Sequence, residues 1–166
     1  VSEAITNAKA IRLSKILVPI HYLVCDASGS CSALEYLENR LQVSDALSIK
    51  ALTNNTYDSS VENLKLYTGF GGSKPIPSGR GSQDRFVIIA NHIRTYSAAA
   101  YKSDVEFGFA GLKAVENSET QWQIIYDLEA KSISFRSRSA GAVKSLHMTS
   151  FDFACQSPVK ILNILT

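Results

Sequence analysis

Two short stretches of the chain carry the side chains best suited to chemistry. Leu52-Thr53-Asn54-Asn55 ends an apolar run in two amides, and Ser82-Gln83-Asp84-Arg85-Phe86 places an arginine just after a good helix-capping residue. Amide N–H groups can donate to the negative charge that develops on a carbonyl oxygen, and an arginine supplies donors that stay protonated. The segment between them, residues 69–81, is rich in glycine, proline and serine. This pattern is typical of a strand end, a loop and a helix start that form the wall of a site.

Each of these residues also has a purely structural interpretation. Asparagines at the end of a strand commonly cap it or turn the chain. Arg85 lies in the first turn of a predicted helix, where the helix dipole disfavours a cation by about 0.3–1 kcal/mol. A surface arginine that pairs with Asp84 or lies over Phe86 is the simplest alternative to a functional one.

The composition indicates one globular domain and argues against two classes of partner. The 166 residues are 45% hydrophobic and 19% charged, with a formal net charge of +2. A chain of this length buries about two thirds of the surface that it exposes when unfolded. It contains no run of four lysines or arginines, so neither a nucleic acid nor a membrane surface is expected as a partner.

Neither a membrane-spanning helix nor a metal site is predicted. The apolar segment Ile16–Cys25 contains Pro19 and His21, and it is too short and too polar to cross a bilayer. The remaining histidines and cysteines are scattered along the chain without the spacing of metal ligands. We therefore expect no cofactor.

Cys25 and Cys31 flank a predicted hairpin turn at residues 26–30. They could form a disulfide in an oxidising compartment. They could equally be two small hydrophobic residues on paired strands. The second interpretation is favoured by the sequence alone.

The periodicity of apolar residues predicts strands, then helices, then strands. Four helices are predicted: Ser2–Arg12, Tyr57–Tyr67, 82–96 and 105–112. Ser2 is expected to cap the first of them and Ser82 the third, and the fourth starts near Val105. The predicted strands are Ile16–Cys25, Cys31–Leu37, Leu41–Val43, Ile49–Thr53, Trp122–Leu128, Ser132–Arg138 and Val143–His147. The order predicts an α+β fold, an antiparallel sheet with helices on one face.

Several stretches, in order along most of the chain, resemble the choloylglycine hydrolase family, the bile salt hydrolase and penicillin V acylase group of N-terminal nucleophile (Ntn) amidases. Leu52-Thr53-Asn54-Asn55 resembles the L-T-N-x-P motif of the family, and Ser82-Gln83-Asp84-Arg85-Phe86 resembles its S-x-x-S-R-F motif. Weaker matches lie on either side of these two: Ile20–Val24, Asp26–Gly29, Ala33–Tyr36, Trp122–Tyr126, Ser132–Arg136 and Phe151–Phe153.

The resemblance implies a mechanism in which an N-terminal cysteine thiolate attacks an amide carbonyl and its own α-amino group acts as base. By motif, Asn54 would donate to the oxyanion, and Arg85 would lie near the nucleophile and favour its thiolate. Asn55 is the alternative donor if the motif is shifted by one residue. The chain starts at Val1 and none of its cysteines is terminal, so the nucleophile is expected in an upstream half or a second chain.

The resemblance also implies an architecture and a set of partners. The family fold is a four-layer αββα sandwich, and residues 1–166 are predicted to form a single domain, the C-terminal part of such a domain, inactive alone. The expected substrate is a small N-acyl amide, such as a conjugated bile salt, penicillin V or an N-acyl homoserine lactone. A homo-oligomer is expected, and a bacterial periplasmic or secreted location is favoured over a cytoplasmic one.

The sequence departs from the family pattern at two motif positions. Thr56 stands where the family has proline, so the turn after Asn54 could have a different shape, and Asp84 replaces the serine before Arg85 and could compete for its guanidinium. The loop between the motifs is also shorter than in many members. The alternative function is a non-catalytic α+β scaffold or binding module. In an enzyme the Asn54 and Arg85 side chains would converge on one pocket; in a scaffold they would point to solvent, be tied up by local contacts or lie more than the width of a substrate apart.

Overall fold

The computed structural model describes residues 1–11, 20–38 and 40–161. The helices are α1 (Ser2–Ala10), α2 (Tyr57–Leu64), α3 (Ser82–Arg94) and α4 (Asp104–Ala114), with short 3-10 turns at Ala98–Ala100 and Met148–Ser150. The strands are β1 (His21–Cys25), β2 (Cys31–Leu37), β3 (Arg40–Ser44), β4 (Trp122–Asp127), β5 (Ser132–Ser137) and β6 (Lys144–His147). Among these residues, no helix has the length and apolar character needed to cross a membrane.

The chain divides into two compact units, Val1–Thr95 and Tyr96–Thr166. Each contains a three-stranded antiparallel sheet, in the order β1-β2-β3 and β4-β5-β6. The α+β class with antiparallel pairing is therefore confirmed. The single domain of residues 1–166 and the sandwich layers stay predictions.

The core of the first unit brings together β2, the segment before α2, and helices α2 and α3. Its buried members are alanines and larger aliphatic or aromatic residues: Ala33, Ala51, Tyr57, Leu64, Phe86, Val87 and Ala90. The predicted apolar face of α3 contributes Phe86 and Ala90, which are fully buried. Since Phe86 ends the Ser82–Phe86 motif and Ala90 lies one turn further on, their packing fixes the orientation of the first turn of α3.

In the second unit, α4 packs against one face of its sheet. A side chain at Gly108 would meet the Ile125 side chain at 2.7 Å, so this glycine allows helix and strand to approach closely. Arg136 lies opposite Gln123 in the β4–β5 register and on the same face. Its guanidinium stacks over the Phe109 ring with 4.7 Å to the centroid.

The predicted hairpins are confirmed, with one correction at the cysteines. The structure joins Cys25 and Cys31 by a disulfide, so the favoured interpretation as two unlinked small residues was wrong. The N–H of Asp26 donates to Ser30 O, which makes the next pair outwards, Cys25 and Cys31, a non-hydrogen-bonded pair with 4.2 Å between Cα atoms. Side chains in such pairs are closest.

Donation by the Ser28 hydroxyl, and then the Val1 amino group, lowers the pKa of Asp26 to about 2.

The predicted strand Ile49–Thr53 was wrong, because its first residue bonds to a side chain rather than to a neighbouring strand. The Ile49 N–H donates to the Tyr57 hydroxyl at 3.2 Å, and the same hydroxyl donates to Ile49 O. Residues 49–53 are therefore an irregular segment, although Ala51 within it is buried.

Several predicted boundaries also need correction. The first helix is capped by Val1 rather than Ser2, and α2 ends at Leu64, before the predicted end at Tyr67. Strand β1 starts at His21; residues 12–19, which include the predicted start of that strand, lie outside the described residues.

Candidate active site

Asn54 and Arg85, 31 positions apart in sequence, are in direct contact. The Arg85 Nη2 atom donates to Asn54 Oδ1 at 2.5 Å. Asn54 lies in a bend after the irregular segment, and Arg85 lies in the first turn of α3, where its own N–H donates to Gly81 O. The two motifs singled out in the sequence therefore meet at one place.

This contact determines which atoms of the Asn54 amide remain available. Oδ1 faces a permanent cation, so Nδ2 is the donor on the other side of the amide. In the described part of the chain, Nδ2 makes no hydrogen bond, and the Asn54 residue is exposed. An amide N–H that is held in one orientation and is free to donate is the kind of preorganised donor that stabilises an oxyanion.

A second link between the motifs runs through Ser82. The Asn55 N–H donates to Ser82 Oγ at 2.8 Å, and the Ser82 hydroxyl donates to Thr53 Oγ1 at 3.1 Å. The prediction that Ser82 caps its own helix was wrong: Gly81 occupies the cap position, and the serine hydroxyl bonds to residues 53–55 instead. Both neighbours of Asn54 are thus tied to α3.

Asp84 lies away from the position that would compete for Arg85. A Cβ atom built on Gly79 would lie 1.9 Å from Asp84 Oδ2, so the carboxylate lies against the Gly79 backbone. Among the described residues, Arg85 forms no ion pair with a carboxylate. The Arg85 Nε atom is buried and has no acceptor within that part of the chain.

The departure at Thr56 keeps the backbone that a proline would impose. The φ of Thr56 is −58°, within the range in which proline fixes this angle. Its hydroxyl also accepts the Ser59 N–H at 3.3 Å and so caps α2. The turn after Asn54 is therefore compatible with the family motif, and threonine adds a cap.

Three residues that meet at the start of α2 were not singled out from the sequence. Glu35 has a fully buried side chain, and both of its oxygens accept the Tyr57 N–H, at 3.2 and 3.1 Å. His21 Nδ1 donates to Glu35 Oε1. The available signal was the alternation in β2, which puts Glu35 on the same side as the buried Ala33.

The second unit contains a separate cavity of about 450 Å³. It is lined by α4 and by the start of β4 and end of β5, with two arginines, Arg136 and Arg138, among its lining residues. Arg136 donates to Gln123 Oε1, and Arg138 donates to Ser118 O. Neither Asn54 nor Arg85 lines this cavity. Within the described residues, no group of three His, Cys, Asp or Glu side chains could hold a metal ion.

The sequence profile of the linear amide C–N hydrolases, choloylglycine hydrolase family, matches residues 1–94, more than half of the chain. The chain therefore belongs to this family. The matched region contains both motifs and the Asn54–Arg85 contact between them. No curated protein sequence matches the chain.

Solved structures of two enzymes are similar in fold. Penicillin V acylase from Agrobacterium tumefaciens is 21% identical, with a TM-score of 0.76 over 95% of this chain and 54% of that one. Conjugated bile acid hydrolase from Clostridium perfringens matches as an arginine-to-leucine variant, 20% identical with a TM-score of 0.62, covering 80% of this chain and 51% of that chain. The cysteine-to-alanine mutant of the same hydrolase is 19% identical, with a TM-score of 0.65, and the match covers 90% of this chain and 58% of that chain. The chain thus spans little more than half the length of each.

Proposed function

We propose that this chain contributes the oxyanion donor and a catalytic arginine to an enzyme that hydrolyses the C–N bond of small N-acyl amides. The observation that carries the proposal is the Asn54–Arg85 contact, which joins two family motifs and leaves the Asn54 Nδ2 donor exposed. The nucleophile is a cysteine at the N-terminus of an upstream half or of a second chain.

Asn54 acts when the cysteine thiolate attacks the substrate carbonyl. A carbon–sulfur bond forms, the carbonyl π electrons move to oxygen, and the Asn54 Nδ2–H donates to the resulting negative charge. The C–N bond then breaks, the amine leaves with a proton from the α-amino group, and water hydrolyses the thioester. Loss of one such donor raises a barrier by about 3–4 kcal/mol.

Arg85 has two roles in this scheme. Its guanidinium holds Asn54 Oδ1 and so orients the amide toward the substrate. Its positive charge lies near the position of the nucleophile and favours the thiolate, because a neighbouring cation lowers the pKa of a cysteine. The helix dipole disfavours a guanidinium in the first turn of a helix. The two proposed roles explain why an arginine nevertheless occupies position 85.

The substrates are small N-acyl amides such as a conjugated bile salt, penicillin V or an N-acyl homoserine lactone. The coverage of about half of each similar structure supports a complete protein in which residues 1–166 are the C-terminal part of one domain. That protein is further proposed to be a homo-oligomer, and the isolated chain is expected to be inactive.

Intact mass and N-terminal sequencing of the native protein, combined with an assay of amine release from these substrates, test the proposal. We expect every active preparation to contain a polypeptide with an N-terminal cysteine, either continuous with this chain or bound to it. Hydrolysis by the 166-residue chain alone would contradict the placement of the nucleophile. Absence of hydrolysis in preparations that do contain the N-terminal cysteine would contradict the proposed function and favour a non-catalytic module.

A further inference from the structure

We propose that Glu35 is a positioning residue that holds Asn54 in the orientation needed to stabilise the oxyanion; this inference rests on the proposed amidase function. Glu35 lies in the middle of β2 and does not contact Asn54. It acts through Tyr57, the first residue of α2, which follows Asn54 by three positions.

The environment of Glu35 indicates a specific use of its charge. Its side chain is fully buried, and a buried carboxylate is costly unless hydrogen bonds satisfy it. Oε1 accepts from His21 Nδ1, and both oxygens accept from the Tyr57 N–H. An apolar side chain would fill this space without the desolvation cost, but it could not bind that N–H. The carboxylate therefore has a distinct effect on the start of α2.

The Tyr57 N–H is one of the first-turn donors of α2 that no helical carbonyl can accept. A negative charge at this end of a helix is also favoured by the helix dipole. Because the N–H is shared between two oxygens of one carboxylate, the start of α2 is fixed relative to β2. Only Asn55 and Thr56 separate this fixed point from Asn54.

Tyr57 also closes the segment that carries Asn54. Its hydroxyl bonds both the N–H and the C=O of Ile49, so the two ends of residues 49–57 meet at one side chain. Ser82 holds the middle of the same segment through Asn55 N–H and Thr53 Oγ1. Glu35 is the buried charged group in this set, and it anchors Tyr57 to the sheet.

Displacement of a catalytic group by about 1 Å can reduce a rate by about 100-fold. Glu35→Gln keeps the size of the side chain but removes its negative charge, and one of the two oxygens that accept the Tyr57 N–H becomes an amide donor. We expect kcat to fall by about 10–100-fold with KM changed less than about twofold, since the contact with bound substrate is retained while transition-state stabilisation is lost.

The test compares Glu35→Gln with Glu62→Gln in the complete protein. Glu62 is an exposed carboxylate of α2 that pairs with Lys65, so Glu62→Gln removes the same charge without changing the contacts described above for residues 49–57. Steady-state kinetics are combined with hydrogen exchange of backbone amides in residues 53–59. Faster exchange there and lower kcat in Glu35→Gln, with neither change in Glu62→Gln, is the expected result.

Other outcomes separate this inference from the proposed function. If Glu35→Gln accelerates exchange in residues 53–59 but keeps the wild-type kcat, the positioning role is overturned and the amidase proposal stands. If the wild-type protein hydrolyses no N-acyl amide, the proposed function fails, and the positioning role in catalysis fails with it. If Glu35→Gln does not fold, Glu35→Asp replaces it, because it keeps the charge but withdraws the carboxylate from the Tyr57 N–H by one methylene; an unchanged kcat in that variant contradicts the inference.

Discussion

Arg85 and Asn54 gain their chemical character from each other at the residue scale. A guanidinium has donors and no acceptor, so it can meet the Asn54 amide only at Oδ1, which leaves the Nδ2 donor facing away. A neutral side chain at position 85 could not enforce this orientation and would carry no charge to act on a nucleophile. The contact between the two residues therefore supports the proposed function more strongly than the presence of either residue alone.

Arg85→Gln is predicted to lower activity in a pH-dependent manner. Without the cation the proposed thiolate is less favoured, so the pKa of the cysteine rises and kcat/KM reaches its plateau at higher pH. The measurement is the pH profile of kcat/KM for the complete protein. Arg80→Gln is the control, because Arg80 is an exposed arginine of the preceding loop whose contact is a 3.5 Å bond to Gly79 O. Identical profiles for wild type and Arg85→Gln would contradict the role in activating the nucleophile.

The sequence singled out Asn54 and Arg85 as candidate site residues because each belongs to a short motif with recognisable chemistry. It did not identify Glu35 or Tyr57, because their contact spans 22 positions and depends on how β2 packs against α2. It misassigned Ser82 for a related reason. A serine before a helix is typical of a cap, and only the tertiary structure brings Thr53 and Asn55 within reach of its hydroxyl.

At the scale of elements, the start of α2 joins the site to the sheet. Thr56 caps this helix through Ser59 N–H and has a φ of −58°. Thr56→Ala is predicted to lower the free energy of unfolding by about 1 kcal/mol through loss of the cap. Thr56→Pro also loses the cap but restricts the unfolded chain, which recovers about 0.4–1 kcal/mol. Chemical denaturation should therefore find the proline variant more stable than the alanine variant; the reverse order would contradict the backbone geometry of this turn.

The β1–β2 hairpin is predicted to be stabilised by its disulfide. A cross-link that closes a loop of this size contributes about 2–3 kcal/mol by restricting the unfolded chain. Alkylation of the native protein under non-reducing conditions should modify Cys155, the exposed free cysteine of this chain, and leave Cys25 and Cys31 unmodified. Labelling of all three before reduction would contradict the disulfide.

Strand and helix positions were predictable where periodicity is local. Strand β2 was predicted with the bounds that the structure has, and the register of the first hairpin follows from its turn. The strand predicted at Ile49–Thr53 failed, since its apolar pattern reflects burial of Ala51 while a tyrosine hydroxyl takes the backbone bonds of Ile49. Burial was thus predictable here, but the hydrogen-bond partner was not.

For the whole molecule, the family and the α+β class follow from short motifs kept in order. The order of strands and helices predicted an α+β fold with an antiparallel sheet; the described part of the chain has two such sheets, and the similar folds of a penicillin V acylase and a bile acid hydrolase agree with the α+β class. The substrate could not be predicted, because specificity depends on the side chains that surround the scissile amide, and the proposed function assigns only one wall of that site to this chain. Within this wall, the proposed function depends most on Asn54 as the donor to the oxyanion.

The most direct test is the kcat of Asn54→Ala and Asn55→Ala in the complete protein, measured against the N-acyl amide that the wild type hydrolyses fastest. Loss of the oxyanion donor predicts that Asn54→Ala lowers kcat by about 100–1000-fold with little change in KM. Asn55→Ala should stay close to wild type, since position 55 contributes its backbone N–H to Ser82 rather than its side chain. A wild-type kcat in Asn54→Ala, or the large loss in Asn55→Ala instead, would contradict the account.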